Sequence, residues 1–332
     1  MKVIRVKESE IKSITEFLIK EQIIFHPVIS PYGSPDFTNY LGRNYILLLD
    51  RNILTKFIEL CNNGTLKEMY LLKVISSLIF WAEFNSISIN AGLALNEYAN
   101  HKQNNMEASK ENNIFRQSSN YYSPEVWLDL ATGKIKMIPK LNLTEEIKDY
   151  IFNIESEHYK MHYAEMLHIT YLYFRDDLSQ EEKVLEFIRW NNENILFCCY
   201  TIVYILLLFS NKLKRFATNG KGNIEYILKK CHNQAWDLTY LSVWSTFYWD
   251  ERKGDTTYLF STMDKDLKKI FINTHDVSSN IFVRFFGEIK GNIIQEEYAK
   301  IANNRVKPEI TLEVIERLIE SERNKLEELI NR

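Results

Sequence analysis

The sequence predicts an α/β protein with a parallel central sheet flanked by helices and a large all-helical insertion. Three observations carry this. Tyr45-Ile46-Leu47-Leu48-Leu49 is a short apolar run flanked by turn formers, the pattern of a strand buried on both faces. Ser86 to Asn90 and Thr256 to Ser261 read as two further strands. Between them, residues 124–222 are mostly apolar and aromatic at helical spacing. The composition agrees: 10 Gly and 6 Pro against 19 Phe, 19 Tyr and 6 Trp favour long helices over turn-rich β architecture.

Taken in order, Ile11, Ile14, Phe17 and Leu18 give an amphipathic first helix in place of an apolar signal-peptide core. Pro27, Pro31, Gly33, Pro35 and Gly42 make the segment from Phe25 to Asn44 an irregular loop. The first strand then ends in Asp50. Helices are expected over Ile53 to Leu60 and Lys67 to Asn85, broken by Asn62-Asn63-Gly64. The strand to Asn90 leads into a helix from Gly92 to His101 that carries Glu97. Residues 102–120, rich in Asn, Ser and Lys, read as an exposed loop and a domain boundary.

Helical patterns continue over Leu143 to Asp177, Glu181 to Asn191 and Ile195 to Phe209, and Asn219-Gly220-Lys221-Gly222 closes the tract. Ile195 to Phe209 is uncharged but shorter than the roughly 20 residues a bilayer span needs, which makes it a buried helix. A helix bearing Asp237, the strand Thr256 to Ser261, Asp264 and charged helices such as Leu312 to Asn331 follow. The expected organisation is a discontinuous α/β domain, residues 1–101 and 228–332, around a helical insertion at 102–227.

A net charge of −3 gives no overall basic coat for nucleic acid, although a local patch is compatible with it. Cys61, Cys198, Cys199 and Cys231 lack paired metal spacing, and a reduced, cytoplasmic compartment is expected. Neither a dinucleotide fingerprint, a P-loop nor a G-x-S-x-G elbow occurs.

Four acidic residues border apolar elements. Asp50 closes Tyr-Ile-Leu-Leu-Leu-Asp, Glu97 lies in Ala-Leu-Asn-Glu-Tyr-Ala, Asp237 in Gln-Ala-Trp-Asp-Leu, and Asp264 in Ser-Thr-Met-Asp-Lys-Asp-Leu. Open α/β sheets gather ligands at the carboxyl ends of their strands, where Asp50 and Asp264 would lie. Clustered carboxylates repel one another and bind hard cations such as Mg²⁺ or Mn²⁺ through oxygen. Taken singly, each acid is more often a helix N-cap or turn residue.

The order of these residues resembles the PIN-like nuclease family over residues 44–101 and 228–275. Asp50-Arg51-Asn52-Ile53-Leu54 is similar to that family's opening motif, and Thr262-Met263-Asp264-Lys265-Asp266-Leu267 to its closing Thr-x-Asp-x-Asp-Leu. The resemblance implies that Asp50, Asp237 and Asp264 ligate Mg²⁺ or Mn²⁺ and that Glu97 ligates or orients the attacking water. Asn52 and Thr262 would hold carboxylate or phosphate, and Asp266 could substitute for Asp264.

The implied chemistry is endonucleolytic cleavage of RNA, in a toxin or phage-defence effector restrained by a regulatory protein or antitoxin, without a membrane. About 140 residues separate Glu97 from Asp237, more than the family's core needs. The inserted helices would recognise substrate, bind a partner or cover the site. Two other readings are a DNA-directed, structure-selective nuclease and a non-catalytic helical scaffold that binds a partner.

Other features carry blander expectations. His158, His162, Glu165 and His168 read as a polar stripe facing solvent or a loop, with no H-E-x-x-H string and no zinc site assigned. Lys212, Lys214, Arg215, Lys221, Lys229 and Lys230 read as a solvated helix end before a phosphate contact. Tyr121, Tyr122 and Trp127 read as core or rim before a base-stacking platform.

Overall fold

The Tyr45 to Leu49 run forms a strand with both neighbours parallel, as its unbroken apolar character requires. A computed structural model describes residues 5–30, 42–142, 148–152, 156–213, 223–250, 254–276 and 280–331. Packing divides the chain into two units: residues 1–154 with 244–268, and residues 155–243 with 269–332.

The first unit is α/β. Its sheet contains β1 (Ile24–Phe25), β2 (Asn44–Leu49), β3 (Ser88–Asn90) and β4 (Thr256–Ser261) in the order β1-β4-β2-β3. β2 runs parallel to β3 and β4, with Leu48 opposite Asn90 and Leu49 opposite Ser261. β1 is antiparallel to β4, so the sheet is mixed where a parallel one was expected. The cause is local. Helix α1 (Glu8–Glu21) ends at Gln22 in the left-handed region (φ 52°), and the chain turns straight into β1, whose second residue, Phe25, opens the segment read as loop.

Helices α2 (Arg51–Asn63), α3 (Met69–Phe84), α4 (Gly92–Lys102), α5 (Asn105–Tyr121) and α6 (Pro124–Ala131) complete this unit's regular structure. Leu47, Leu49, Ile53, Phe57, Leu78 and Trp127 share its core, each such side chain contributing about 1.5–3 kcal/mol by burial. Gly64 ends α2 at φ 76°, where a Cβ would sit 2.5 Å from the Ile138 carbonyl oxygen, so only glycine fits.

The expected loop at 102–120 is instead α5. Asn104 caps it by accepting the Met106 amide at 2.8 Å. Its inward face is polar because it satisfies backbone rather than apolar surface: Asn113 donates to the Lys148 carbonyl at 2.8 Å, and Ser109 accepts the Tyr150 amide at 2.9 Å. With α5 and α6 packed on the α/β core, the boundary falls near residue 154 and not at 101. Tyr122 and Trp127 are core residues, and of that aromatic trio Tyr121 alone is exposed.

The second unit is helical: α7 (Glu157–Phe174), α8 (Gln180–Asn194), α9 (Cys199–Phe209), α10 (Ile224–Asp250, in this unit to Val243), α11 (Lys265–His275, in this unit from Lys269), α12 (Ile281–Phe286), α13 (Glu288–Asn303) and α14 (Leu312–Ile330). Every residue from Tyr200 to Phe209 is buried. No helix among the described residues is long and apolar enough to cross a membrane.

Residues 269–332 pack in this unit, contrary to their expected place in the α/β domain. α14 lies against α7 through buried Ile315, Glu322 and Leu326. Helix α7 begins only at Glu157. Of the stretch expected to be helical from Leu143, residues 148–152 are irregular, and 143–147 and 153–155 lie outside the described residues. So do Lys214, Arg215, Lys221 and the break at 219–222.

The expected solvent-facing stripe on α7 is buried: His162, Glu165 and His168 are 3%, 1% and 4% exposed. Their partners lie on other helices. Glu165 Oε2 accepts from His162 Nδ1 at 2.6 Å and Thr201 Oγ1 at 2.7 Å, and its Oε1 accepts from Asn191 at 2.9 Å. His162 Nε2 meets Ser242 Oγ at 2.8 Å, and His168 Nδ1 meets Glu322 Oε2 at 2.7 Å.

Candidate active site

The carboxyl ends of β2 and β4 lie side by side, so Asp50 and Thr262, each one residue beyond its strand, come into register. Asp50 occupies the N-cap position of α2, yet its side chain does not cap the helix. Its Oδ2 instead accepts from Asn52 Nδ2 and Thr262 Oγ1, both at 2.5 Å. The residue is 4% exposed, and two donors on one oxygen suit an ionised carboxylate. Asn52 also accepts the Met263 amide at 3.3 Å, tying the start of α2 to the segment after β4.

Asp264 follows two residues on. Its amide donates to Thr262 Oγ1 at 2.9 Å, so the Thr262 hydroxyl accepts from one aspartate's backbone while donating to the other's carboxylate. Asp264 Oδ1 accepts the amides of Asp266 and Leu267 at 2.7 and 2.8 Å, the capping role ordinary for aspartate at a helix start. Asp266 lies in the first turn of α11, half-buried and held by that contact. One turn later, Lys268 donates to the Glu21 carbonyl at 2.7 Å. Burial pulls its pKa down, opposed by the carboxylates of Glu21 and Asp264.

Glu97 is half-buried on α4, which packs against β2, α2 and α5. Beside it, Tyr98 presents its ring to the Arg51 guanidinium at 4.1 Å. Arg51 also pairs with Glu111 of α5 through both nitrogens, at 2.5 and 2.9 Å. The residue after Asp50 is thereby fixed from two helices. Glu111 was not foreseen, because the segment that carries it read as loop.

Asp237 sits half-buried on α10 between buried Trp236 and Leu238, in the second unit, whereas Asp50, Glu97 and Asp264 belong to the first. Among the described residues no three His, Cys, Asp or Glu side chains form a group able to hold a metal ion. Three of the four expected carboxylates, Asp50, Glu97 and Asp264, fall in the first unit. Asp50 and Asp264, joined through Thr262, are what the fold brings together.

Hard oxygen donors from one or two carboxylates are what Mg²⁺ commonly takes from a protein, the rest of its octahedron being water and substrate phosphate. Asp50 and Asp264 supply two carboxylates at adjoining strand ends, linked through Thr262. No family model, curated protein or solved structure matches the chain.

Proposed function

We propose that the chain is a metal-dependent endoribonuclease centred on Asp50. The observation that supports this is a buried aspartate at the carboxyl end of the middle parallel strand, whose carboxylate bonds the Asn52 and Thr262 side chains in place of a helix-capping amide. An N-cap position that gives up its capping bond loses about 1 kcal/mol, which argues for another use of the carboxylate.

In this reading Asp50 and Asp264 hold Mg²⁺ or Mn²⁺, Asn52 and Thr262 fix the Asp50 carboxylate plane, and Glu97 orients the attacking water. When bound, the ion supplies charge for the scissile phosphate and acidifies water. Asp237 is retained as a candidate ligand only from its sequence context. A role as a toxin or phage-defence effector under a protein regulator is part of the same proposal.

The test is cleavage of a cellular RNA pool by wild-type protein and Asp50→Asn with Mn²⁺, Mg²⁺ or chelator. Discrete cuts lost by both mutation and chelation are expected. Undiminished cutting by Asp50→Asn refutes the assignment, and a DNA cut in place of RNA redirects it to the DNA-directed alternative.

A further inference from the structure

A cavity of about 200 Å³ opens within the helical unit, between α8, α9 and α13. Ile188, Ile202 and Ile301 make it apolar, and Asn191, Asn192, Tyr298 and Arg305 bring polar groups to its lining. Asn191 is 2% exposed. Its amide nitrogen donates to Glu165, while its Oδ1 takes no hydrogen bond from any described residue. The side chain of Asn192 and the hydroxyl of Tyr298 likewise bond to no described residue. An apolar cavity edged by a few polar groups with hydrogen-bonding capacity to spare has the make-up of a small-molecule binding site.

Charge and size narrow the ligand. Arg305 lines the cavity and donates Nη2 to the Ile195 carbonyl at 2.7 Å, with its guanidinium 5.8 Å from the Phe197 ring. It has no carboxylate partner among the described residues. A half-buried guanidinium of this kind selects a planar oxyanion. Phe197, 43% exposed, stands at the rim, its ring 6.3 Å from that of Tyr298. An apolar cavity of roughly 150 Å³ holds benzene, so this one admits an aromatic ring with a small substituent.

We propose that the second unit binds a small aromatic carboxylate. Arg305 holds the carboxylate, Asn192 and Tyr298 donate to it, the ring lies among Phe197, Ile202 and Ile301, and Asn191 Oδ1 accepts a proton from a substituent at the far end. This site is independent of whether the first unit cuts RNA.

The experiment is isothermal titration of the full chain with 4-hydroxybenzoate, benzoate and 4-hydroxybenzamide. Arg305→Met and Ala302→Trp, the latter obstructing the cavity from an exposed position, are compared with wild type. One-to-one binding of 4-hydroxybenzoate is expected, at least tenfold tighter than its amide, and weakened at least tenfold in both variants. Benzoate should bind more weakly than 4-hydroxybenzoate because it offers Asn191 no proton. Should Arg305→Met fail to fold, Ala302→Trp carries the comparison. No binding at millimolar ligand, equal binding of acid and amide, or binding unchanged in the folded variants overturns the proposal.

Discussion

The Thr262 hydroxyl lies 2.5 Å from Asp50 Oδ2 and 2.9 Å from the Asp264 amide, so one side chain links the ends of two parallel strands to both aspartates. Thr262 is 1% exposed, and no water replaces a lost hydroxyl at such a depth without rearrangement. Thr262→Val keeps the shape and removes the proton that Asp50 accepts. It should cost about 1–3 kcal/mol in urea unfolding. If Asp50 is a ligand, it should also raise the Mn²⁺ concentration needed for half-maximal cleavage. A stability loss below about 0.5 kcal/mol would show that the bond is not formed in solution.

Arg51 and Glu111 form a two-pronged pair at 17% and 15% side-chain exposure, a setting between surface and core. Exposed pairs are worth about 0–1 kcal/mol, but fork geometry and partial burial raise this. A double-mutant cycle with Arg51→Met and Glu111→Gln should give a coupling of roughly 1–2 kcal/mol. Additive losses would mean that α5 is held without the pair.

The outline of the first unit was legible in the sequence wherever burial was achieved with apolar side chains. Asn44–Leu49 and Thr256–Ser261 are such cases, as is α9 of the second unit, buried from Tyr200 to Phe209. The rest was hidden because polar residues were buried against partners far along the chain. Asn113 serves a carbonyl 35 residues away, and His162 meets Ser242 after 80, so α5 read as loop and α7 as a wet stripe. Of the candidate site, the strand-end pair Asp50 and Asp264 followed from local motifs. No local pattern located Glu111, and none showed that Asp237 falls in another unit.

Glu83 provides a pH test. Burial raises its pKa from 4.5 to about 7, the Trp127 indole opposing the shift in part, and its Oε2 has no hydrogen-bond partner. Below the unfolded value both states are protonated and folding is unaffected. As pH rises from there through about 7, the unfolded chain releases its proton first and stability is lost. Glu83→Gln should therefore stabilise the protein at pH 8 by about 1 kcal/mol after allowance for residual exposure, or about 2–4 °C in Tm, and have little effect at pH 4. A mutant that gains nothing at pH 8 would place the native pKa near its ordinary value.

Glu165 accepts three hydrogen bonds while 1% exposed, from α7, α8 and α9. Glu165→Gln keeps the size but substitutes an NH₂ for one acceptor, setting donor against donor. The expected cost is about 2–4 kcal/mol, read as a lower urea midpoint with unchanged slope. A loss under about 1 kcal/mol would mean that the network re-forms around the amide.

The place of β4 between β1 and β2 has a consequence for biosynthesis. Asp50 leaves the ribosome 212 residues before Thr262, a delay of roughly 10–40 s at about 5–20 residues per second. Until β4 emerges, one edge of β2 and the β4-facing edge of β1 lack their native partner, exposed to pairing with other chains. Much of the helical unit is made in that interval. The nascent protein thus carries Asp50 without its hydroxyl donor throughout that interval, and the strand-end pair is assembled only after it.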